Sequence, residues 1–166
     1  MPSNLLKVYN QLLELLYISH RDNVQSIRKV FDRDFAVFPF RFRQYPIHPT
    51  PADNEDTMDR VFRHLTTVVV DQAVKKREFE TARSIRIHWV KHHLEERKQD
   101  VIRVFTVLNE NRVYVLDVTE RYVVVLEPLR KLQAFFLLTA YHLEDSRYRN
   151  LMNKCEKRGK EGVVIW

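Results

Sequence analysis

The sequence predicts an α+β protein: amino-terminal helices, a long helix, a four-stranded antiparallel sheet and a carboxy-terminal helix. Three observations carry that expectation. Apolar residues recur at helical spacing early in the chain, as in "NLLKVYNQLLELLYIS" over residues 4–19. Four β-rich runs then follow one another, "DVIRVFTVL", "RVYVLDV", "YVVVLE" and "AFFLLTAYHL", with only "NEN", "TER" and "PLRKLQ" between them. Connections that short leave no room for crossover helices, so neighbouring strands must be antiparallel. Beyond them, Tyr148, Leu151, Met152 and Cys155 return to the helical period.

In order, residues 4–19 place Leu5, Val8, Leu12, Leu15 and Leu16 on one apolar helical face. "SHRD" breaks the run, and Asp22 with Gln25 resembles a capping box for a second helix carrying Val24, Ile27, Val30 and Phe31. The two helices are expected to pair. Residues 35–51 alternate apolar and polar side chains but hold four prolines; Phe40–Arg43 read as a short strand that Pro39 and Pro46 confine to an edge or loop. A helix starting at Asp53 or Asn54 carries Met58, Val61, Phe62 and Leu65, and "TTVVVD" reads equally as helix end or strand. "KKRE" at residues 75–78 is a charged joint dividing a helical region, 1–75, from a second unit, 76–166. A long helix over residues 78–97 turns Phe79, Ala82, Ile85 and Trp89 inward.

Composition narrows the function. The 166 residues are 45% hydrophobic and 30% charged, with a net charge of +6, which favours a polyanionic partner such as nucleic acid. The two glycines, Gly159 and Gly162, both lie in the tail, so no phosphate-cradling glycine loop exists and ATPase, kinase and dehydrogenase chemistry is disfavoured. A phosphate here must be held by side chains. The single cysteine, Cys155, excludes an internal disulfide and sits at an apolar helical position. No run approaches the ~20 apolar residues of a membrane span, and the amino terminus lacks a signal pattern. A cytoplasmic protein without membrane contact is expected.

The densest polar cluster is "RSIRIHWVKHHLEE", residues 83–96. His88 and His92 stand four apart on one helical face and, with Glu95 or Glu96, suit a metal, though the glutamate of a zinc protease is missing. Arg83 with His88, or Arg86 with His92, also fits the short arginine–histidine spacing of the all-helical HEPN ribonucleases, against which the four strands argue. A third reading is a basic helix that presents Arg83, Arg86 and Lys91 to phosphate. On the strands, Arg112 with Tyr114 and Arg121 with Tyr122 form aromatic–basic pairs that can stack bases or simply stabilise an exposed sheet.

Taken together, the helix "ARSIRIHWVKHHLEE", the strands "DVIRVFTV", "RVYVLDV", "RYVVVLE" and "FFLLTAYHLE", and the basic helix "RYRNLMNKCEKR" resemble the phage-associated nucleases of the barnase–EndoU–colicin–RelE-like fold. The resemblance covers roughly residues 78–158, and the first 75 residues do not share it. Its matching positions are Arg83, Arg86, Trp89, Arg112, Tyr114, Thr139 and Tyr141. It implies RNA cleavage without a metal or other cofactor, by attack of the ribose 2′-OH on the adjacent phosphate to give a cyclic phosphate.

That chemistry needs a base, an acid and cations around phosphorus. His142 and His88 are the proton shuttles expected; Arg86, Arg83 and Arg112 would grip phosphate; Thr139 would donate to it, and Tyr141 would stack on a base or donate a proton. Trp89, Lys91, Tyr114 and Arg121 would complete the RNA surface. Strand alternation puts Thr139 and Tyr141 on one face and His142 on the other, unless a bulge intervenes. The expectation is therefore an endoribonuclease, a toxin or phage-conflict effector acting on structured RNA such as tRNA, neutralised by an acidic partner protein. A non-catalytic RNA- or DNA-binding module is the alternative, and a scaffold built on the leucines of the first helix is a third.

Overall fold

The structure is a computed structural model that describes residues 3–36, 41–97, 99–107 and 109–161. Helix α1 (His20–Phe35) is followed by strands β1 (Arg41–Phe42) and β2 (Tyr45–Pro49), helix α2 (Thr57–Thr66), strands β3 (Thr67–Asp71) and β4 (Lys76–Phe79), and two short helices, α3 (Thr81–Ser84) and α4 (Trp89–Leu94). Strands β5 (Ile102–Thr106), β6 (Val113–Asp117), β7 (Tyr122–Leu129) and β8 (Ala134–His142) come next, and helix α5 (Asp145–Glu161) comes last.

The four-stranded antiparallel sheet expected from sequence is corrected. Strands β5 to β8 form an antiparallel meander, but it is part of a six-stranded mixed sheet ordered β1-β2-β8-β7-β6-β5. β2 runs parallel to β8, with Ile47 opposite Phe135, and Thr50 extends the seam by donating to the Leu137 carbonyl at 3.1 Å. A parallel pair needs a long connection, and nearly ninety residues separate these partners, so no local signal announces it. β1 is the two-residue edge; Pro39 and Phe40 lie outside the described residues. β3 and β4 form a separate two-stranded hairpin, so "TTVVVD" closes α2 at Thr66 and is strand from Thr67, and the charged joint at residues 75–78 lies on the hairpin's far side.

Two expected helices are also corrected. Residues 4–19 hold only a 3₁₀ turn, Asn4–Leu6, and then run irregularly. Side chains rather than a helical ladder satisfy their backbone: Asn4 bonds both the amide and the carbonyl of Glu14, Asn23 does the same for Tyr17, and the His88 ring binds the carbonyls of Val8 and Gln11. Such partners offer the chain an alternative to the helical ladder. Leu13 is buried, but Leu6, Leu16 and Ile18 are exposed. The long helix of residues 78–97 becomes β4, α3 and α4. Between α3 and α4, bonds such as Arg86 N–H to Arg83 and Trp89 N–H to Arg86 reach back only three residues. The Ile85 and Arg86 carbonyls there accept from Leu13 N–H and the Tyr122 hydroxyl, which draws them away from a continuous α-ladder.

The sheet buries both faces. Val113, Val115, Tyr122, Val124, Leu126, Phe135 and Leu137 join one cluster with Ile27, Phe31 and Phe35 of α1, Leu65 of α2 and Trp89 of α4. This cluster draws on both sides of residue 75. On the opposite face, Leu116, Val123 and Val125 meet Leu151 of α5. A bulge in β8 decides which face its polar end uses: Leu126 pairs with Leu137 but Val125 pairs with Thr139, leaving Leu138 as an extra residue. The alternation therefore inverts, so Thr139 and Tyr141 leave the α1 face on which Phe135 and Leu137 lie. No helix among the described residues is long and apolar enough to cross a membrane.

Candidate nucleic-acid cleft

Where β8 meets α2, α3 and the β3–β4 hairpin, a cleft of about 710 Å³ opens. Its lining includes five arginines, Arg60, Arg77, Arg83, Arg112 and Arg147, and one acidic side chain, Glu80. Thr139, His64, Tyr114 and Tyr141 supply hydroxyls, an imidazole and aromatic rings, over apolar ground at Val125 and Leu138.

Arg83 organises the site. Its Nη1 donates to Thr139 Oγ1 at 3.1 Å and to the His64 and Thr67 carbonyls at 3.0 Å each, while Nε pairs with Glu80 at 3.1 Å. The guanidinium also lies 5.4 Å from the centroid of the Tyr141 ring. Its side chain is 11% exposed, and Nη2 has no hydrogen-bond partner among the described residues. The His64 and Thr67 carbonyls come from the end of α2 and the start of β3, so one cation joins helix, hairpin and sheet. Thr139 strengthens the junction by donating to the His64 carbonyl at 3.3 Å. Arg77 is fixed alongside, through Nε to Thr67 Oγ1 at 2.8 Å and Nη2 to the Thr67 carbonyl at 2.9 Å.

The cations act on one another. Burial first, then the charges of Arg77, Arg60, Arg63 and Arg83, push the His64 imidazole down to a pKa of about 4, so it is neutral at pH 7. Burial and the same neighbouring arginines also lower Arg77. An anion among these groups would relieve both effects, which is what a site built for phosphate requires. α2 delivers His64 and Arg60 together because they stand four apart on one helical face. The Asp56 carboxylate fixes that helix's start by accepting from Met58 and Asp59 N–H, two to three residues beyond the start read from sequence.

Of the residues singled out from sequence, Arg83, Arg112, Tyr114, Thr139 and Tyr141 line this cleft. Arg112 also pairs with Glu127 at 3.2 Å, and the Tyr114 hydroxyl donates to Glu110 at 2.5 Å. The others lie elsewhere. Arg86 stacks over Trp89 at 5.3 Å and donates to the Ala82 carbonyl, outside the cleft lining. His88 is buried against the Val8 and Gln11 carbonyls, and the Trp89 indole donates to Gln11 as well, so both pin the amino-terminal segment. Lys91, half-exposed on the largely buried α4, reaches Glu95 at 4.0 Å. Arg121 pairs with Asp145 and covers the Tyr148 ring. His142 occupies the face opposite Thr139 and Tyr141, opposite Tyr122, and is lowered by burial and then by Arg86 and Arg121.

Sequence reasoning missed His64, Arg60, Arg77, Glu80 and Arg147. A signal was present in "RVFRHL", whose Arg60 and His64 share a helical face. Searches against family models, curated proteins and solved structures found no match.

Proposed function

We propose that the chain is an endoribonuclease whose reaction centre is the arginine-lined cleft. The observation that carries this reading is the convergence of five arginines with a single carboxylate, an imidazole and a threonine hydroxyl on one concave surface. The arginines bind the scissile phosphate and offset the charge that builds on its oxygens in the pentacovalent state. Arg83 and Thr139 hold that phosphate. Glu80 takes the proton from the ribose 2′-OH as the 2′-oxygen bonds to phosphorus. The bond to the 5′-oxygen breaks, and that oxygen receives its proton from His64. Phosphate binding opposes the arginine charges that help depress the His64 imidazole, so the ring takes up a proton from solvent as the substrate binds and enters the reaction as imidazolium. The products are a 2′,3′-cyclic phosphate and a free 5′-hydroxyl.

Tyr114 and Tyr141 border the cleft and give unpaired bases a surface to stack on. Following the resemblance noted in the sequence, the wider reading is a cytoplasmic toxin or phage-conflict effector that cuts structured RNA such as tRNA. An acidic protein covering the cleft would neutralise it. The second reading, a non-catalytic RNA-binding module, gains support from the extent to which Arg83 is engaged by protein acceptors. A short RNA and the same RNA with a 2′-deoxynucleotide at the cut position separate the two. The enzyme cleaves only the first; a binder retains both and cuts neither.

A further inference from the structure

We propose that the cleft continues along α5 as a phosphate-tracking groove, so that the RNA it takes is single-stranded for several nucleotides on one side of the cleaved bond. This inference rests on the ribonuclease reading and deepens it. Arg147, Leu151, Lys154 and Arg158 recur at spacings of four, three and four, which places them on one face of α5. Leu151 is buried against the sheet and fixes the orientation of that face. The basic residues consequently follow the seam between α5 and the β5–β6 end of the sheet.

The seam is continuous with the cleft. Arg147, Arg112 and Tyr114 belong to the cleft lining. The Tyr114 hydroxyl donates to Glu110, and Lys154 Nζ lies 3.2 Å from the other oxygen of the same carboxylate. Further along, Arg158 donates through Nε and Nη2 to the carbonyl and hydroxyl of Thr106 at 3.0 and 2.9 Å. From Arg147 to Arg158 the helix rises about 16 Å. That length carries several phosphates of an extended strand.

Glu110 is shared by Tyr114, Lys154 and the field of Arg112, which together hold its carboxyl below the usual range, the hydrogen bond from Tyr114 foremost. A phosphate arriving at Lys154 competes with that one carboxylate. The tracking is sequence-independent, since the groove presents cations to the backbone while the two tyrosines at its cleft end present ring faces to bases.

The test uses non-cleavable 2′-O-methyl oligouridylates of two to ten nucleotides, with binding read by fluorescence anisotropy across a salt series. For the unaltered protein, affinity should rise by at least tenfold from two to about six nucleotides and then level off. In the K154Q/R158Q double variant that gain should shrink to within about twofold. The slope of log K against log salt should fall by about 1.4, two phosphates at roughly 0.7 each. K154Q alone, at a half-exposed position, guards against a folding defect and should lower the slope by about 0.7. An undiminished length gain in both variants would overturn the groove. Length-dependent binding lost in the variants, without any cleavage of ordinary RNA by the unaltered protein, would instead overturn the ribonuclease reading and leave the groove standing.

Discussion

The Arg83 guanidinium meets the Thr139 hydroxyl at 3.1 Å across 56 residues of chain, joining the short helix after the β3–β4 hairpin to the bulged last strand. The same guanidinium reaches Glu80, the His64 and Thr67 carbonyls and the face of Tyr141, so it ties the helix, hairpin and sheet sides of the cleft together. Removing it should weaken the hold on the scissile phosphate as its charge builds. Arg83→Ala is expected to lower kcat/KM for RNA by about 10²–10³-fold, the range found for losing a charge-stabilising donor. Thr139→Val preserves shape and deletes one hydroxyl, and should cost about tenfold in kcat. Steady-state kinetics on a defined RNA, with circular dichroism to verify folding, reads both.

His64 makes a sharper expectation because its folded pKa, about 4, lies below the value near 6.5 of an unperturbed histidine. Between those values the unfolded chain binds the proton and the folded one does not, so this group makes stability rise with pH from about 4 to about 6.5. Above that window it contributes no slope. His64→Gln should flatten the rise in urea midpoints across the same interval. An NMR titration of the His64 ring should show a midpoint near 4 in the free protein, moving upward when a 2′-O-methyl oligonucleotide occupies the cleft.

A buried network holds the amino-terminal segment to the sheet. The Tyr9 hydroxyl donates to Asp117 at 2.6 Å and His93 Nε2 meets the same oxygen at 2.9 Å. Burial pushes the Asp117 carboxyl upward, but His93, the Glu120 amide and Tyr9 together outweigh it and hold the group at about 2. A depressed carboxylate stabilises the fold fully above its unfolded value, near 3.9, and loses that contribution as pH falls toward 2. Asp117→Asn should therefore cost about 2–3 kcal/mol at pH 7, because one carboxylate oxygen serves both Tyr9 and His93. The gap from the unaltered protein should narrow as pH drops below about 4, read by denaturant unfolding at each pH.

His88 carries a different expectation from the one its sequence suggested. It pins the carbonyls of Val8 and Gln11 from a buried position. His88→Ala should reduce stability by about 1–3 kcal/mol through those unpaired carbonyls. Limited proteolysis should then cut the segment before α1 first, and RNA cleavage per folded molecule should change far less than in Arg83→Ala.

The parts of this architecture legible in the sequence were those set by local periodicity. Val113–Asp117 and Tyr122–Leu129 are strands because β-branched and aromatic residues crowd between short turns. Thr139 and Tyr141 were separable from His142 by the two-residue period. The failures were long-range. The leucines of residues 5–16 carry a helical pattern, yet the side chains of Asn4, Asn23 and His88 take the backbone carbonyls of Glu14, Tyr17 and Gln11 that a helix would need. β2 adds to the sheet through a parallel pairing with β8 that only the finished fold supplies. Likewise His64 sits in an ordinary amphipathic helix, and the hairpin that folds Arg77 toward it leaves no local trace.

The most direct test is to incubate purified protein with total RNA in EDTA and map the new ends, with Arg83→Ala alongside. Discrete cuts that bear cyclic phosphates and vanish in the variant are expected. RNA left intact at high protein excess, or cut equally by both proteins, would contradict a reaction centred on Arg83 and Thr139.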